Sequence, residues 1–341
     1  MPRVIGIDPG TISIDICGLD NGSLWLDRTL PTREALDDPE SFLALLSQGG
    51  RPDLIAGPSG YGLPLIGADQ ATDREIRLAL LAAEGEAGGL GGLGRLLKTL
   101  ARSNLPVVFT PGVIHLPTVP THRKLNRVDL GTADKLAAAA LGVWDQARRL
   151  RIPVEATSFI LLELGGAFTA LVTVEGGAII DGLGGTSGPM GWSSSGAWDG
   201  EVAFLAGQVT KDLLFRGGRS DIGEDAAAAY IEGAHKAVLA QTASLPRPRE
   251  ILFSGRHAQD PGLRTMLIPR LETVAPVVDL EGFAKVSKQG AQGAALIADG
   301  LAGGAERPLV ETLRLAEARG SVLDYLQVIS PDQARRRIGI E

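Results

Sequence analysis

The sequence predicts an α/β protein built from two related domains, and three observations carry this prediction. A block that reads as three strands joined by tight turns occurs twice, at residues 4–27 and 159–181. Each block is followed by helical segments. Gly accounts for 45 of the 341 residues, about twice its usual share of roughly 7 %, which indicates many tight turns. At roughly 150 residues per domain, we expect domains over residues 1–145 and 146–341.

Composition excludes several classes of protein. The formal net charge is −7 and no long basic run occurs, which argues against a nucleic-acid partner, because binding to that backbone rests on clustered Lys and Arg. Cys17 is the single cysteine, so no intrachain disulfide or CxxC zinc site can form. No apolar run approaches the roughly 18 residues of a membrane span. We expect a cytoplasmic protein with no membrane partner, and a homodimer is left open.

The two blocks align at a single offset. Placing Asp8 over Glu163 puts Gly10 over Gly165 at the same offset of 155 residues (163 − 8). Each block predicts a short apolar strand, a Gly turn, a second β-rich strand, an Asn-Gly or Gly-Gly hairpin turn and a third strand. This pattern indicates an internal duplication.

Two helical segments occupy matching places, one near the end of each half. Residues 132–144 and 287–301 carry Ala and Gly at i, i+3 and i+4. Small residues on one stripe let helix backbones approach closely, so we expect these helices to cross at the domain interface. Residues 85–94 are so rich in Gly that they predict a loop.

The first Gly turn has the composition of a phosphate site. In Asp8-x-Gly10-Thr11, a carboxylate and a hydroxyl flank a turn without a side chain. A triphosphate can lie against the backbone N–H groups of such a turn while the carboxylate holds Mg²⁺. Glu163 and Gly165 repeat the arrangement. We therefore expect two hairpins that face each other across a cleft and bind the phosphates from both sides.

The ordered set of motifs resembles the superfamily of acetate and sugar kinases, heat-shock protein 70 and actin. Asp8-Pro9-Gly10-Thr11 resembles its first phosphate motif, and Glu163 to Thr169 its second. Ser254-Gly255, at the end of a β-rich run, resembles its adenosine motif. The helical segments 132–144 and 287–301 resemble its two connecting helices.

This resemblance implies two duplicated ribonuclease H-like (actin-like ATPase) domains with an interdomain nucleotide cleft, and ATP and Mg²⁺ as cofactors. The second motif of the superfamily usually carries Asp, and the Glu of this chain reaches one methylene further. The resemblance implies that the metal is held by Asp8 and Glu163. It implies nucleotide binding by Asp8, Gly10, Thr11, Gly165, Gly166, Thr169, Ser254, Gly255 and Arg256.

Within the superfamily, the chain looks most like a family of predicted butyrate kinases. The match covers roughly residues 3–305 and is carried by the stretches 115–120, 123–135 and 196–201. It implies a phosphotransferase that uses ATP to convert a short carboxylate, a small-molecule acceptor, into an acyl phosphate.

Candidate acceptor-binding residues follow from the chemistry of that reaction. A carboxylate is already ionised at neutral pH and needs no general base, but positive groups must hold it beside the γ-phosphate. The basic, Pro-containing segment from His115 to Lys135 provides such groups. Its catalytic candidates are His122, Arg123 and Arg127, with Asp134 as a possible partner, and Lys135 is a further positive group. A bidentate Arg suits both carboxylate and phosphate oxygens.

Two alternatives remain open. Asp199 lies in a cluster that follows the second phosphate hairpin and could act as the base for a hydroxyl acceptor, or it could simply cap the helix that opens at residue 201. The protein could also bind ATP as a switch or scaffold without any acceptor.

Overall fold

The computed structural model describes residues 2–10, 12–83 and 89–340, and the side chains of residues 58 and 89–91 lie outside this description. The first half consists of the following elements in chain order: β1 Arg3–Pro9, β2 Ser13–Asp20, β3 Ser23–Pro31, α1 Thr32–Asp37, α2 Pro39–Leu46, β4 Leu54–Pro58, β5 Ile66–Gly67, α3 Asp73–Leu80, α4 Gly89–Arg102, β6 Val107–Thr110, α5 Thr121–Lys124 and α6 Ala133–Leu150. The predicted boundary between residues 145 and 146 falls inside α6.

The second half repeats this plan with other insertions. Its elements are β7 Ser158–Leu164, β8 Thr169–Glu175, β9 Ala178–Leu183, α7 Gly200–Ala206, α8 Arg219–Ile222, α9 Asp225–Gln241, β10 Glu250–Ser254, α10 Pro261–Leu271, β11 Val277–Asp279, α11 Gln289–Leu301, α12 Arg307–Leu313 and α13 Pro331–Arg337. The strands form two sheets, ordered β3-β2-β1-β4-β6-β5 and β11-β10-β7-β8-β9. The α/β class predicted from the sequence is therefore confirmed.

The strand registers confirm the duplication to the residue. Pro9 pairs with Ile14 in the first hairpin, and Leu164 pairs with Thr169 in the second, both at the 155-residue offset. The ladder of β2 with β3 shifts register after Gly18, and that of β8 with β9 shifts at the equivalent place after Thr173. Such a bulge bends the strand locally. The halves therefore share their irregularities as well as their strand order.

Apolar side chains fill both faces of the central strands. Along β1, Val4, Ile5 and Ile7 are at most 1 % exposed, and the first two belong to different hydrophobic clusters on opposite faces of the sheet. Alternation along a strand sends successive side chains to opposite faces. Burial of both faces fixes β1 in the interior, so its carboxyl end is a rigid platform for the Gly turn that follows.

Helices α6 and α11 cross between the halves at backbone contact, as the small-residue stripes predict. A Cβ built on Gly293 of α11 would lie 1.8 Å from the carbonyl oxygen of Ala137 in α6. A Cβ built on Gly6 of β1 would lie 2.1 Å from the backbone nitrogen of Ala295. Gly is required at both places because any side chain would separate the elements. This contact ties the starts of both helices to the strands that carry the Gly turns.

One predicted loop is wrong. Residues 84–88 lie outside the described residues, but α4 begins at Gly89 and runs through the rest of the predicted loop at 85–94. Leu93, Leu96, Leu97 and Leu100 place an apolar stripe on the core side of this helix, and its packing outweighs the low helix propensity of Gly. Among the described residues no helix is both long and apolar enough to cross a bilayer.

Candidate active site

A cleft of about 650 Å³ lies between the two halves. Both Gly turns, the end of β10 and the starts of α6 and α11 form its polar part. Its other walls are apolar, with Leu80, Leu93 and Leu96 from the first half and Phe168, Leu214 and Phe215 from the second. A concave site with apolar walls and a few convergent polar groups is the usual form of a small-molecule site.

The two Gly turns have the same hydrogen bond. The backbone nitrogen of Gly10 donates to the carbonyl of Ser13 at 2.7 Å, and that of Gly165 donates to the carbonyl of Phe168 at 2.9 Å. A Cβ on either glycine would lie within 3.0 Å of the accepting oxygen. Glycine is therefore required at both positions, and the two glycines line the cleft from its two halves.

Asp8 stands at the end of β1, in the floor of the cleft. A Cβ built on Gly290, near the start of α11, would lie 2.5 Å from Asp8 Oδ2. The carboxylate therefore fits only because residue 290 has no side chain. Burial and the nearby Asp134 raise the pKa of Asp8 well above its ordinary value, although Lys135 and Lys288 oppose the shift. Among the described residues Asp8 has no hydrogen-bond or ion-pair partner, so an added cation would relieve its electrostatic strain.

Lys135 bridges the two halves of the cleft floor. Its Nζ donates to Asp134 Oδ2 at 2.7 Å and to Glu163 Oε1 at 2.6 Å. Burial alone would lower the pKa of Lys135, but Asp134 and Glu163 raise it well above its ordinary value. Lys135 is therefore charged at neutral pH. An ammonium has three donors, so one remains for a ligand in the cleft.

Strand β10 completes the polar part of the cleft. Ser254 pairs with Glu163 across the parallel β10 and β7 ladder. Gly255 follows with a φ of +99°, and a Cβ there would lie 2.4 Å from the carbonyl oxygen of Leu164. Only Gly fits this conformation and this close approach. Arg256 then lines the cleft beside Gly166. The helix that the sequence predicts after this turn begins only at Pro261.

The structure brings most of the nucleotide-site residues together. Thr169 is fully buried as the first residue of β8 and does not line the cavity. Thr11 lies outside the described residues. The predicted site residues that line the cavity are Asp8, Gly10, Asp134, Glu163, Gly165, Gly166, Ser254, Gly255 and Arg256.

The basic segment predicted at residues 115–135 is divided: Lys135 and Asp134 at its end line the cleft, whereas the three basic catalytic candidates do not. His122 and Arg127 are exposed and do not line the cavity. Arg123 donates from Nη1 to the carbonyl of Ile180 at 2.7 Å, and its Nε lies 3.7 Å from Asp181 Oδ2. These contacts fix the segment against the edge of the second sheet, so the structure gives no support to an acceptor clamp of His122, Arg123 and Arg127.

The same segment holds the C-terminal region instead. Asn126 Oδ1 accepts the backbone N–H groups of Gln327 and Val328 at 2.7 and 3.1 Å. The Nζ of Lys124 lies 5.1 Å from the ring centre of Tyr325. The mixture of cationic and amide side chains thus serves a contact between segments about two hundred residues apart, which no local pattern in the sequence could indicate.

Asp199 lies outside the cleft and takes the capping role. Its Oδ1 accepts the backbone N–H of Glu201 at 2.8 Å at the start of α7. The side chain is exposed and borders a separate surface depression with Trp198 and Arg216. A short polar side chain at this position satisfies one of the unpaired N–H groups of the first helical turn. Nothing in this geometry supports Asp199 as a base.

Sequence reasoning did not single out Lys288 and Asp15. Lys288 Nζ lies 2.7 Å from Asp15 Oδ2 and 2.6 Å from Ser13 Oγ. Lys288 precedes α11 in the second half, whereas Asp15 lies on β2 in the first. No motif marks either residue, and only the fold brings them together beside the Gly10 turn.

The donor set suits Mg²⁺ at Asp8. Across the described ranges no three Asp, Glu, His or Cys side chains are grouped so that they could hold a metal by themselves. Mg²⁺ is commonly held by one or two carboxylates together with substrate phosphates and water, and the unpartnered oxygens of Asp8 fit that pattern. Glu163 is already paired with Lys135, so the expectation of a second metal carboxylate has weaker support in the geometry.

Comparison with known proteins places this geometry in a wider context. The profile of the family "Protein of unknown function (DUF1464)" matches residues 6–328. No curated protein matches the chain. Among solved structures, acetate kinase from Entamoeba histolytica is similar at 12 % identity and a TM-score of 0.56, covering 80 % of this chain and 86 % of that one.

Two further solved structures are similar over almost their whole length. Acetate kinase from Porphyromonas gingivalis shares 14 % identity at a TM-score of 0.57 and covers 86 % of this chain and 98 % of its own. A propionate kinase from Francisella tularensis shares 14 % identity at a TM-score of 0.57, with coverages of 86 % and 99 %. At such identities the likeness establishes the fold, which is the two-domain fold of the actin-like ATPases, as predicted.

Proposed function

We propose, for a chain that belongs to the DUF1464 family of proteins of unknown function, an activity argued from its cleft. The protein is an ATP-dependent kinase that converts a short hydrocarbon carboxylate into an acyl phosphate. The resemblance to predicted butyrate kinases stays a prediction, and the proposal takes its acceptor class, a short carboxylate, from that resemblance.

The single observation that carries the proposal is the pair of equivalent Gly turns. Gly10 and Gly165 make the same backbone hydrogen bond and open onto one cleft from opposite halves. Backbone N–H groups in such turns form concave sites for anions. Two such turns on one cleft support a site for the phosphates of one nucleotide, and the position of Ser254 and Gly255 in the same cavity supports their proposed contact with the nucleoside.

The charges of the cleft support a nucleotide that arrives with a cation. Among the described residues that line the cavity, the cations are Lys135, Arg256 and Lys288, whereas the carboxylates are Asp8, Asp129, Asp134 and Glu163. A triphosphate adds several negative charges to a site that is not positive. Mg²⁺ bound at Asp8 would supply the charge compensation that phosphoryl transfer needs.

The inner end of the cleft suits an ionised acceptor. The third donor of the Lys135 ammonium is available there, whereas the hydroxyls of Thr132 and Thr186 in the same cavity already donate to Asp134 and Asp129. A carboxylate bound to Lys135 lies beside the proposed phosphate site. One of its oxygens attacks the γ-phosphorus, the bond from phosphorus to the bridging oxygen breaks, and ADP leaves with that electron pair. No proton is moved, so no general base is required.

The apolar walls support a hydrocarbon tail. Leu80, Leu93 and Leu96 face the cavity from one half, and Phe168 packs edge to face on Phe215 in the other, with ring centres 5.0 Å apart. A polyol would leave most of its hydroxyls without partners against such walls, which is costly. A sugar acceptor would also need a base, and the base that the sequence suggests for it, Asp199, lies away from the cavity.

The test is a phosphotransfer assay with a series of acceptors. We expect purified protein with MgATP and butyrate or propionate to form an acyl phosphate, trapped as the hydroxamate by hydroxylamine, with little reaction on glycerol or glucose. Asp8→Asn should abolish transfer, because the proposed metal carboxylate is lost. Asp199→Asn makes the same chemical change at an exposed cap and should leave transfer unchanged.

Three results would redirect the proposal. Formation of ADP with a polyol and no hydroxamate with any acid would replace the carboxylate acceptor with a hydroxyl one. Tight MgATP binding without turnover on any acceptor would favour a nucleotide-dependent switch. Loss of activity in Asp199→Asn equal to that in Asp8→Asn would contradict the location of the site.

A further inference from the structure

Lys288 belongs to the second half of the chain, but its charge lies on the phosphate turn of the first half. Its Nζ contacts Ser13 Oγ at 2.6 Å and Asp15 Oδ2 at 2.7 Å. A Cβ built on Gly10 would lie 3.5 Å from the same Nζ. The ammonium therefore stands directly beside the bare turn.

The backbone that carries Lys288 is fixed to the first half by two carboxylates, the half-buried Asp27 and the buried Asp15. Asp27 accepts the backbone N–H groups of residues 285, 286 and 287 at 3.0, 2.9 and 2.7 Å. Asp15 Oδ1 accepts from the backbone of Lys288 at 3.3 Å and from Thr29 Oγ1 at 2.6 Å. We call residues 285–288 the strap. Because hydrogen bonds hold the backbone of all four residues, the fold sets the position of the Lys288 side chain.

The two partners of this ion pair differ in exposure. The side chain of Asp15 is 1 % exposed, whereas that of Lys288 is 46 % exposed and faces the cavity. The buried carboxylate holds the ammonium at the cleft wall, and the ammonium remains open to a ligand. Two of its three donors are used by Ser13 and Asp15, so the third is available for an anion.

No other cation of the described cavity lining stands at this turn. Lys135 is shared between Asp134 and Glu163 on the cleft floor, and Arg256 extends beside Gly166 on the opposite turn. A triphosphate between the turns would have Arg256 on one side. Lys288 is the group that can neutralise its charge on the other.

We propose that Lys288 is a phosphate-binding residue that contacts the β- or γ-phosphate of the nucleotide at the Gly10 turn. This inference rests on the proposed nucleotide site, but it does not depend on which acceptor is phosphorylated. Asp15, Ser13 and Asp27 are positioning residues that act through Lys288. The contact joins the strap of the second half, the turn of the first half and the ligand, so bound phosphate strengthens the link between the halves.

The experiment compares Lys288→Met with Lys285→Met by calorimetry with MgATP, MgADP and adenosine. Lys285 is an exposed lysine on the same strap that does not line the cavity, so its variant makes the same charge change away from the site. Loss of one charge-assisted hydrogen bond corresponds to roughly 10- to 100-fold weaker binding. We expect that loss in Lys288→Met for ATP and ADP, with adenosine affinity unchanged, and less than a twofold change for Lys285→Met.

A structural effect has a different signature. If Lys288→Met unfolds the protein because Asp15 is left buried without its cation, the double variant Asp15→Asn/Lys288→Met removes both charges and takes its place in the same titrations. Equal loss for ATP and adenosine in a folded variant, or unchanged ATP affinity, overturns the inference. In a kinetic assay, loss of a phosphate contact in Lys288→Met raises the KM for ATP, and Lys288→Arg, which keeps the charge, restores part of the wild-type KM.

The outcome separates this inference from the proposed function. A wild-type protein that binds MgATP through Lys288 but phosphorylates no acceptor supports the inference and removes the kinase. A wild-type protein that binds no MgATP overturns both. Turnover of a carboxylate with no effect of Lys288→Met removes the inference alone.

Discussion

Replacing Gly293 with Ala tests the backbone contact between α6 and α11. The new Cβ would lie 1.8 Å from the carbonyl oxygen of Ala137 and 2.5 Å from its carbon, and main-chain atoms cannot rotate away as a side chain can. Overpacking of this kind costs up to about 3 kcal/mol, while Ala in place of Gly inside a helix returns about 1 kcal/mol. We therefore expect a net loss of about 2 kcal/mol, equivalent to a Tm lower by roughly 3 °C for a chain of this length.

Thermal and urea unfolding followed by circular dichroism measure this loss. The control is Gly200→Ala at the first residue of α7, where a Cβ would meet nothing within 4 Å, and we expect its stability to stay within about 0.5 kcal/mol of wild type. Because α6 and α11 carry Lys135 and Gly290 at their starts, separating them should also weaken nucleotide binding. A Gly293→Ala protein as stable as wild type would show that the helices do not cross at backbone contact.

Three further predictions concern buried charged groups. Burial would raise the pKa of Glu250, but hydrogen bonds from Arg149 and Gln146 hold it below its ordinary value of 4.5. The stability that the Glu250–Arg149 pair contributes is thus present above pH 4.5 and is lost as the pH falls through the lowered pKa of Glu250. The urea midpoint of Glu250→Gln should therefore fall less than that of wild type between pH 5 and 3. Burial lowers the pKa of His115 from 6.5. The stability that the neutral imidazole contributes is therefore present above pH 6.5 and is lost below it, by up to about 1.4 kcal/mol per pH unit. His115→Phe should remove this part of the dependence of the unfolding free energy on pH, and an unchanged dependence would contradict the prediction. Thr186→Val removes a 2.8 Å hydrogen bond to the buried carboxylate of Asp129 and should lower the free energy of unfolding by about 1.5–3 kcal/mol, whereas Thr186→Ser should not.

Features that depend on short-range patterns could be predicted from the sequence. The 155-residue repeat, the Gly turns and the small-residue stripes each follow from the backbone requirements of a few adjacent residues. Gly10 and Gly165 are needed because a Cβ would press on the oxygen of the turn. The helices predicted at 132–144 and 287–301 correspond to α6 and α11.

Features that depend on distant contacts could not be predicted. The segment around Arg123 has the composition of an anion site, but its partners are Ile180, Asp181 and the C-terminal region, which only the tertiary fold brings close. Helix α4 is a different case, because the helical spacing of its leucines in the sequence predicts a helix. The Gly content of this segment predicts a loop, but the packing of its leucines stabilises the helix in the folded protein.

The duplication also explains why the two phosphate motifs differ. Each strand-end carboxylate meets the start of the connecting helix from the other half, Asp8 at Gly290 and Glu163 at Lys135, and these helix positions are again 155 residues apart (290 − 135). Glu163 has the extra methylene and meets a resident ammonium, whereas Asp8 is shorter and faces a residue without a side chain. The second half thus supplies a cation of its own, and the first half leaves room for an added one. A functional asymmetry follows from this. In the proposed kinase we therefore expect Mg²⁺ at Asp8, with Lys135 in the equivalent electrostatic place at Glu163. The Glu of the second motif is thus matched to a resident cation.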